Sequence, residues 1–416
     1  MSTLVIEGGQ PLHGRISVPG AKNAVTPILA ACLLTKHEIV VENVPQITDV
    51  ERMLALLRGL GVMVERDGST VRLKAERVEP ARLDEKAVKS MRSSVLLFGP
   101  LLARLGEVEL PEPGGCIIGN RPLQAHLEVL QQLGAEVEVK DTGYHLKASR
   151  LVGRPVVLPE FSVTATENAI MAAVLAQGKT TIDIAAAEPH VQDLCYCLVA
   201  MGAKISGIGT HHLEIEGVTE LGGATHRVVP DAIEAGTWAV LAAVSRGELT
   251  ISPVIPEHLQ LVLLKLKEIK VDFEVKGSEL TVRASRQLRP FKLQALPYPG
   301  FPTDLQAPFA VLATQASGTS LIHDPLYEGR LNHIAELTKM GANTLVADPH
   351  RVVITGPTPL YGREIRPFDL RAGATLIIAG LIAQGETTIH DVEVVDRGYE
   401  RLDERLLAVG AHLRRS

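Results

Sequence analysis

The chain has 416 residues, 46% apolar and 22% charged, the balance of a globular protein with material for two cores. A net charge of -6 and an isoelectric point near 6.2 exclude a broadly basic surface of the kind that binds nucleic acid or acidic membranes, so an anionic ligand has to be met by local charge. No apolar run reaches the roughly 18–20 residues of a membrane helix, and the four cysteines are too irregularly spaced for a disulfide framework or a zinc site.

The opening "MSTLVIEGGQPLHGRISVPG" alternates like a strand and lacks the charged and apolar regions of a secretion signal, so a cytoplasmic protein is expected. After the hinge-like "SVPGAKN" come a helix, "AKNAVTPILAACLL", a strand, "TKHEIVV", a second helix ending in "LRGLGVMVE", and two strands joined by "RDGST". The same order recurs. Helix-ending phrases follow at "LQQLGAEVEV", "LVAMGAKISG", "LKEIKVDFEV", "LTKMGANTLV" and "LLAVGAHLRR", with markers Gly61, Gly134, Gly202, Lys270, Gly341 and Gly410. A period of about 70 residues fills the chain with six units. The phrases "RLGEVEL", "AQGKTTI", "SRGELTI", "ASGTSLI" and "AQGETTI" hold the same phase, which chance similarity does not explain. "RVVPDAIEAG" opens the fourth unit, so one domain is expected over residues 21–229 and the other over 230–416. Pattern alone leaves the partner of the first strand open.

The first helix of each unit is apolar nearly all round and is predicted to be buried. Polar residues gather at the starts of these helices: Lys22 and Asn23, Arg92, Thr166 and Glu167, Asp231 and Glu234, Thr303 and Asp304, Asp369 and Arg371. Thr303 and Asp369 read as caps, and acids suit a first turn. Lys22, Arg92 and Arg371 do not, because a cation there opposes the helix dipole. Equivalent positions of a repeat share one end of the structure, so these cations and the free N–H groups predict an anion-attracting cleft.

Between its first strand and its marker, the second unit is longer than the others, and the extra residues hold "PEPGGCIIGNRP". Glycines flanked by prolines describe a lid, and Cys116 on it is either a small buried hydrophobe or a thiol acting as nucleophile or acid beside Arg121. Its place on the enlarged loop favours the chemical role, whereas Cys195 and Cys197 in "QDLCYCLVAMGA" read as core. Asp304 is either a first-turn acid or a reacting group. Arg330 and Arg397, in phase ahead of the second helices of units five and six, suit phosphate or carboxylate clamps. No Walker, Rossmann or HExxH pattern occurs.

The phrases "PGAKNA", "MRSS", "PGGCIIGNRP", "SVTATEN", "FPTDLQA", "EGR", "DLRAGA" and "DRGYER", spread over the whole chain, resemble the UDP-N-acetylglucosamine enolpyruvyl transferases. The resemblance implies a two-domain, inside-out α/β barrel fold. It has six βαβαββ repeats, three per domain, around buried central helices, with the N-terminal strand (residues 1–20) joined to the C-terminal domain. It implies transfer of the enolpyruvyl group of phosphoenolpyruvate to the sugar 3-hydroxyl of UDP-N-acetylglucosamine, with no metal or organic cofactor; the acidic charge and the lack of a long apolar run separately predict no nucleic-acid or membrane partner. Lys22 and Arg397, aided by Arg121, would bind phosphoenolpyruvate. Asn23, Arg92, the loop of Arg121, Pro122, Leu123, Gln124 and Ala125, and Leu326 would hold the UDP-sugar. Ser162, Val163, Arg330, Asp369 and Arg371 would complete the substrate site. Asp304 would accept the hydroxyl proton, and Cys116 would protonate the donor's methylene carbon and be the target of fosfomycin. Departures from the family pattern are Gln124, where an acid is frequent, Ala232, where an arginine is frequent, and "IKVD" in repeat four. The sister transferase acting on shikimate 3-phosphate shares the fold but uses no loop cysteine, and a non-catalytic UDP-sugar-binding relative is the alternative from another class.

Overall fold

The computed structural model describes residues 2–80, 84–114, 119, 122–285 and 287–416. It divides into two compact units. One is drawn from Gly20–Val229, and the other comprises the residues up to Pro19 together with Pro230–Ser416.

Each unit has three largely buried helices at its centre among the described residues. In the first these are Lys22–Ala31, Phe98–Leu105 and Val163–Ala173, and in the second Ala232–Val244, Gln306–Gln315 and Leu370–Ile382. Their Ala- and Gly-rich surfaces permit close packing. A Cβ on Gly99 would lie 2.6 Å from the Asn168 carbonyl oxygen, so only glycine allows the helices Phe98–Leu105 and Val163–Ala173 to meet as they do. Side chains such as Ile28, Leu29 and Phe309 have no exposed surface, and truncating one to Ala is expected to cost about 2–5 kcal/mol. No helix among the described residues is long and apolar enough to cross a membrane.

Small mixed sheets surround these helices. In the third repeat, Pro155–Val157 runs parallel to Lys179–Asp183, which pairs antiparallel with His212–Glu216, which pairs in turn with Lys204–Ser206. The fifth repeat has the same order, Lys292–Gln294, Gly318–His323, Arg351–Gly356 and Asn343–Asp348. The parallel pair needs a crossover, and a buried helix supplies it. Where a repeat has no leading strand of its own, a distant segment takes the place. Ala224–Arg227 lies parallel to Glu38–Glu42 in the first repeat, and His13–Ser17 parallel to Glu248–Ser252 in the fourth. In the sixth repeat Leu4–Glu7 inserts antiparallel between His412–Arg415 and Glu386–Ile389. The inserted segment satisfies both open edges. In the second repeat the sheet has three strands among the described residues, Glu107–Pro111, Gly143–Lys147 and Glu136–Lys140, all antiparallel.

The marker residues end the second helices with left-handed backbone. Gly61, Gly134, Gly202, Gly341 and Gly410 have φ between 91° and 104°. Lys270, the exception in sequence, adopts the same region with φ 70° and ψ 32°. The helix stop is therefore kept where the glycine is not.

Candidate active site

The six central helices present their N-termini with distinct chemistry. In the unit drawn from Gly20–Val229, Lys22 opens the first helix, and its Nζ lies 3.0 Å from Asp49 Oδ2. Asp49 stands in the first turn of the helix Thr48–Gly59 and is almost wholly buried, so the cation that opposes one helix dipole is balanced by an acid favoured by another. Arg52 adds a second charge 3.7 Å from Asp49 Oδ1 and donates to the Ser90 carbonyl. Asn23 follows, half-buried, and Arg92 opens the 3-10 turn Arg92–Leu97.

Ser162 caps the helix that begins at Val163, accepting from the Ala165 N–H, and Val163 packs against the core of this unit. Leu123 and Ala125 point into the same core, so their contacts with a ligand would run through the main chain, while Pro122 and Gln124 are exposed. Gln124 donates to Glu128 one turn along its own helix. Behind this segment, Asn168 uses Oδ1 to accept from Gly99 N (2.7 Å) and Nδ2 to donate to Val95 O (2.9 Å). That orientation makes His126 Nδ1, 2.9 Å from the same amide nitrogen, an acceptor. The ring proton therefore sits on Nε2, 3.1 Å from Thr164 Oγ1. Burial first, and the charge of Arg92 second, push His126 down to about 3. Cys116 and Arg121 lie outside the described residues.

In the other unit the acids dominate. Asp231 caps the helix Ala232–Val244, accepting from Ile233 N and Glu234 N, and Asp369 caps Leu370–Ile382, accepting from Arg371 N and Ala372 N. Thr303, expected as a cap, is not one. Its hydroxyl donates to Asp324 Oδ2, and Pro302 holds the N-cap place. A hydroxyl close to a buried carboxylate gains more from that charge-assisted bond than from a backbone N–H. Asp324 also accepts from Leu326 N through Oδ1, so one buried carboxyl ties the turn carrying Asp304 to the segment carrying Leu326.

Asp304 itself is gripped twice, by Arg330 Nη2 at Oδ1 and by Arg371 Nε at Oδ2 (3.2 Å). Arg330 Nη1 stands 4.0 Å from Asp369 Oδ1, and its guanidinium lies 5.4 Å from the centre of the Tyr327 ring. Arg371 lies 5.3 Å from the centre of the Tyr399 ring, whose hydroxyl is 3.2 Å from Thr237 Oγ1. Burial works against the charge of both arginines, but their acidic and phenolic neighbours outweigh it and their pKa values rise. The structure thus brings Asp304, Arg330, Asp369 and Arg371 into one largely buried ion network. Arg397 ends the 3-10 turn Val392–Arg397, half-buried and two residues before Tyr399.

Asp49, Asp324, His126 and Tyr399 were missed by sequence reasoning. Asp49 alone carried a signal: a lysine at the N-terminus of a buried helix needs an acid, and "TDVER" offers one where the next helix begins. His126 stands in an ordinary helix, Asp324 directly after a strand, and Tyr399 in the bend between the 3-10 turn Val392–Arg397 and the helix Leu402–Ala408.

Residues 6–406 match the family described as EPSP synthase (3-phosphoshikimate 1-carboxyvinyltransferase). UDP-N-acetylglucosamine 1-carboxyvinyltransferase 1 of Caldanaerobacter subterraneus subsp. tengcongensis is 43% identical over 411 residues, covering 99% of each chain. The UDP-N-acetylglucosamine 1-carboxyvinyltransferase of Koribacter versatilis is 42% identical, covering all of this chain and 96% of its own. Among solved structures, the enolpyruvyl transferase NikO from Streptomyces tendae superposes with a TM-score of 0.92 at 26% identity, over all of this chain and 99% of that one. The inside-out arrangement of buried helices and outer sheets is therefore that of the enolpyruvyl transferases, and the chain belongs to their family, described as EPSP synthase.

Proposed function

We propose that the chain transfers the enolpyruvyl group of phosphoenolpyruvate to the 3-hydroxyl of UDP-N-acetylglucosamine, releasing phosphate in the first committed step of peptidoglycan precursor synthesis. The observation that carries this reading is 43% identity along 99% of both chains to a relative bearing that name. The chemistry of the residues agrees. Lys22, Arg121 and Arg397 meet the carboxylate and phosphate of the donor. Asn23, Arg92, the Arg121–Ala125 segment, Ser162, Val163 and Leu326 hold the UDP-sugar.

Asp304 takes the proton of the 3-hydroxyl as that oxygen bonds to C2 of phosphoenolpyruvate, and the Cys116 thiol gives a proton to the methylene carbon. Protonating carbon while oxygen attacks keeps full charge from building on either centre. The tetrahedral ketal phosphate then returns a methyl proton to the Cys116 thiolate as its C2–O bond to phosphate breaks, and the proton on Asp304 leaves with the phosphate. Arg330 and Arg371, each donating to one oxygen of Asp304, support this role because they fix the direction of its remaining lone pairs. Asp369 orders the N-terminal turn that carries Arg371. The enzyme is proposed to act in the cytoplasm on these two small molecules, with no cofactor and no nucleic-acid or membrane partner.

Phosphate release with phosphoenolpyruvate and either UDP-N-acetylglucosamine or shikimate 3-phosphate tests the acceptor. Turnover with the UDP-sugar alone is expected, and turnover with shikimate 3-phosphate alone would overturn the reading. Asp304→Asn is expected to bind both substrates yet lose on the order of 100-fold or more in kcat. An unchanged rate would return Asp304 to a structural role.

A further inference from the structure

The ion network around Asp304 depends on where Arg330 is held, and Arg330 lies in an irregular stretch. Between the strand Gly318–His323 and the helix His333–Lys339, the chain runs through Leu326, Gly329 and Leu331 without a regular element. The Arg330 N–H reaches the Tyr327 carbonyl only at 3.4 Å. Its carbonyl oxygen is held more firmly. Gln306 Nε2, from the first turn of the buried helix Gln306–Gln315, donates to it at 2.9 Å, and His333 Nδ1 meets it at 3.1 Å. Both side chains are about 1% exposed.

A carbonyl oxygen only accepts, so His333 Nδ1 carries the ring proton and Nε2 keeps its lone pair. Neither His333 Nε2 nor Gln306 Oε1 finds a protein partner among the described residues. Each of these buried polar groups therefore makes its one side-chain bond to the same carbonyl. An amide and an imidazole are costly to bury compared with a leucine of similar size, so packing alone does not call for them here. Burial also keeps the imidazole neutral beside the Arg330 cation, with its basicity pushed down to about 4.

We propose that Gln306 and His333 are positioning residues: two buried side chains that hold the Arg330 main chain so that its guanidinium fixes the Asp304 carboxylate for proton transfer. The inference rests on the proposed role of Asp304 as the group that accepts the hydroxyl proton. Neither residue touches the reacting atoms. Their effect is on the direction of the carboxylate, and it belongs in kcat rather than in substrate affinity.

The test compares His333→Leu, His333→Asn and Gln306→Met in the full chain, with phosphate release read at saturating phosphoenolpyruvate and UDP-N-acetylglucosamine. Asparagine places an amide N–H near the former Nδ1, while leucine fills the space without a donor. His333→Leu and Gln306→Met are expected to lower kcat about 10- to 100-fold, with both KM values within about threefold. His333→Asn is expected to recover most of the loss. Wild-type kcat in His333→Leu and Gln306→Met, or equal losses in the leucine and asparagine variants, would overturn the proposal. Should His333→Leu fail to fold, kcat of Gln306→Met decides alone, a loss with unchanged KM supporting the proposal and a wild-type rate overturning it. Asp304→Asn, measured alongside, separates the two ideas. If it turns over at the wild-type rate, the reading of Asp304 has failed; if it is crippled while the other variants are not, only the positioning role has.

Discussion

Replacing Lys270 with glycine is expected to stabilise the protein. Lys270 ends the helix Gln260–Ile269 in the left-handed region, with φ 70° and ψ 32°, at the position where five other repeats have glycine. An L-residue there is strained by about 1–2 kcal/mol. Glycine removes that strain but gives the unfolded chain extra freedom, which offsets about 0.5–1 kcal/mol. Losing a cation at a helix C-terminus removes a few tenths more. The net gain centres on about 0.5 kcal/mol, or about 1–2 °C in the midpoint of a unit of this size. The Lys270 side chain is exposed, so no packing is lost. Gly202→Ala provides the opposite sign. Its φ is 104° and an added Cβ would meet nothing within 4 Å, so the backbone alone is perturbed, and a loss of about 0.5–1 kcal/mol follows from the same terms. Urea midpoints of the two variants measured together are the assay. If Lys270→Gly were the less stable of the pair, backbone strain would not be what distinguishes this position.

Cys116→Ser should reduce turnover sharply with little change in melting temperature, and full activity would remove the thiol from the reaction. Asp49→Asn leaves Lys22 with its nearest carboxylate neutralised in a largely buried setting, so stability should fall by about 3 kcal/mol. Added phosphate should restore part of that loss, and a variant as stable as wild type without phosphate would contradict the pairing. His126 is held neutral, at about 3 in the folded protein against 6.5 unfolded. Its contribution to stability is therefore complete above pH 6.5 and is lost as pH falls towards 3. Between pH 7 and 5 the stability gap between wild type and His126→Gln should narrow by about 2 kcal/mol, as read from urea midpoints, and a constant gap would refute the assignment.

Features that depend on a few consecutive residues were legible before any coordinates. Glycine-ended helices, the alternation of each strand and the apolar faces of the central helices are all set by preferences acting over a turn or two, and six repetitions made the phase unmistakable. Asp369 as a cap belongs to the same class, since the N–H groups it serves lie two and three residues away. Thr303 failed because Asp324, 21 residues on, competes for its hydroxyl more strongly than the local backbone does.

What tertiary structure decided is the choice among distant partners. An alternating strand such as Leu4–Glu7 can pair at any open edge, because its period of two says which face is apolar and nothing about which neighbour lies beside it. In the folded chain it lies between Glu386–Ile389 and His412–Arg415, antiparallel to both. In the same way, a charged residue in sequence announces a need for compensation without naming its source. Asp304, Arg330 and Arg371 lie on separate repeats or elements, and it is their meeting in a largely buried place, where charges must be paired, that selects them for one another.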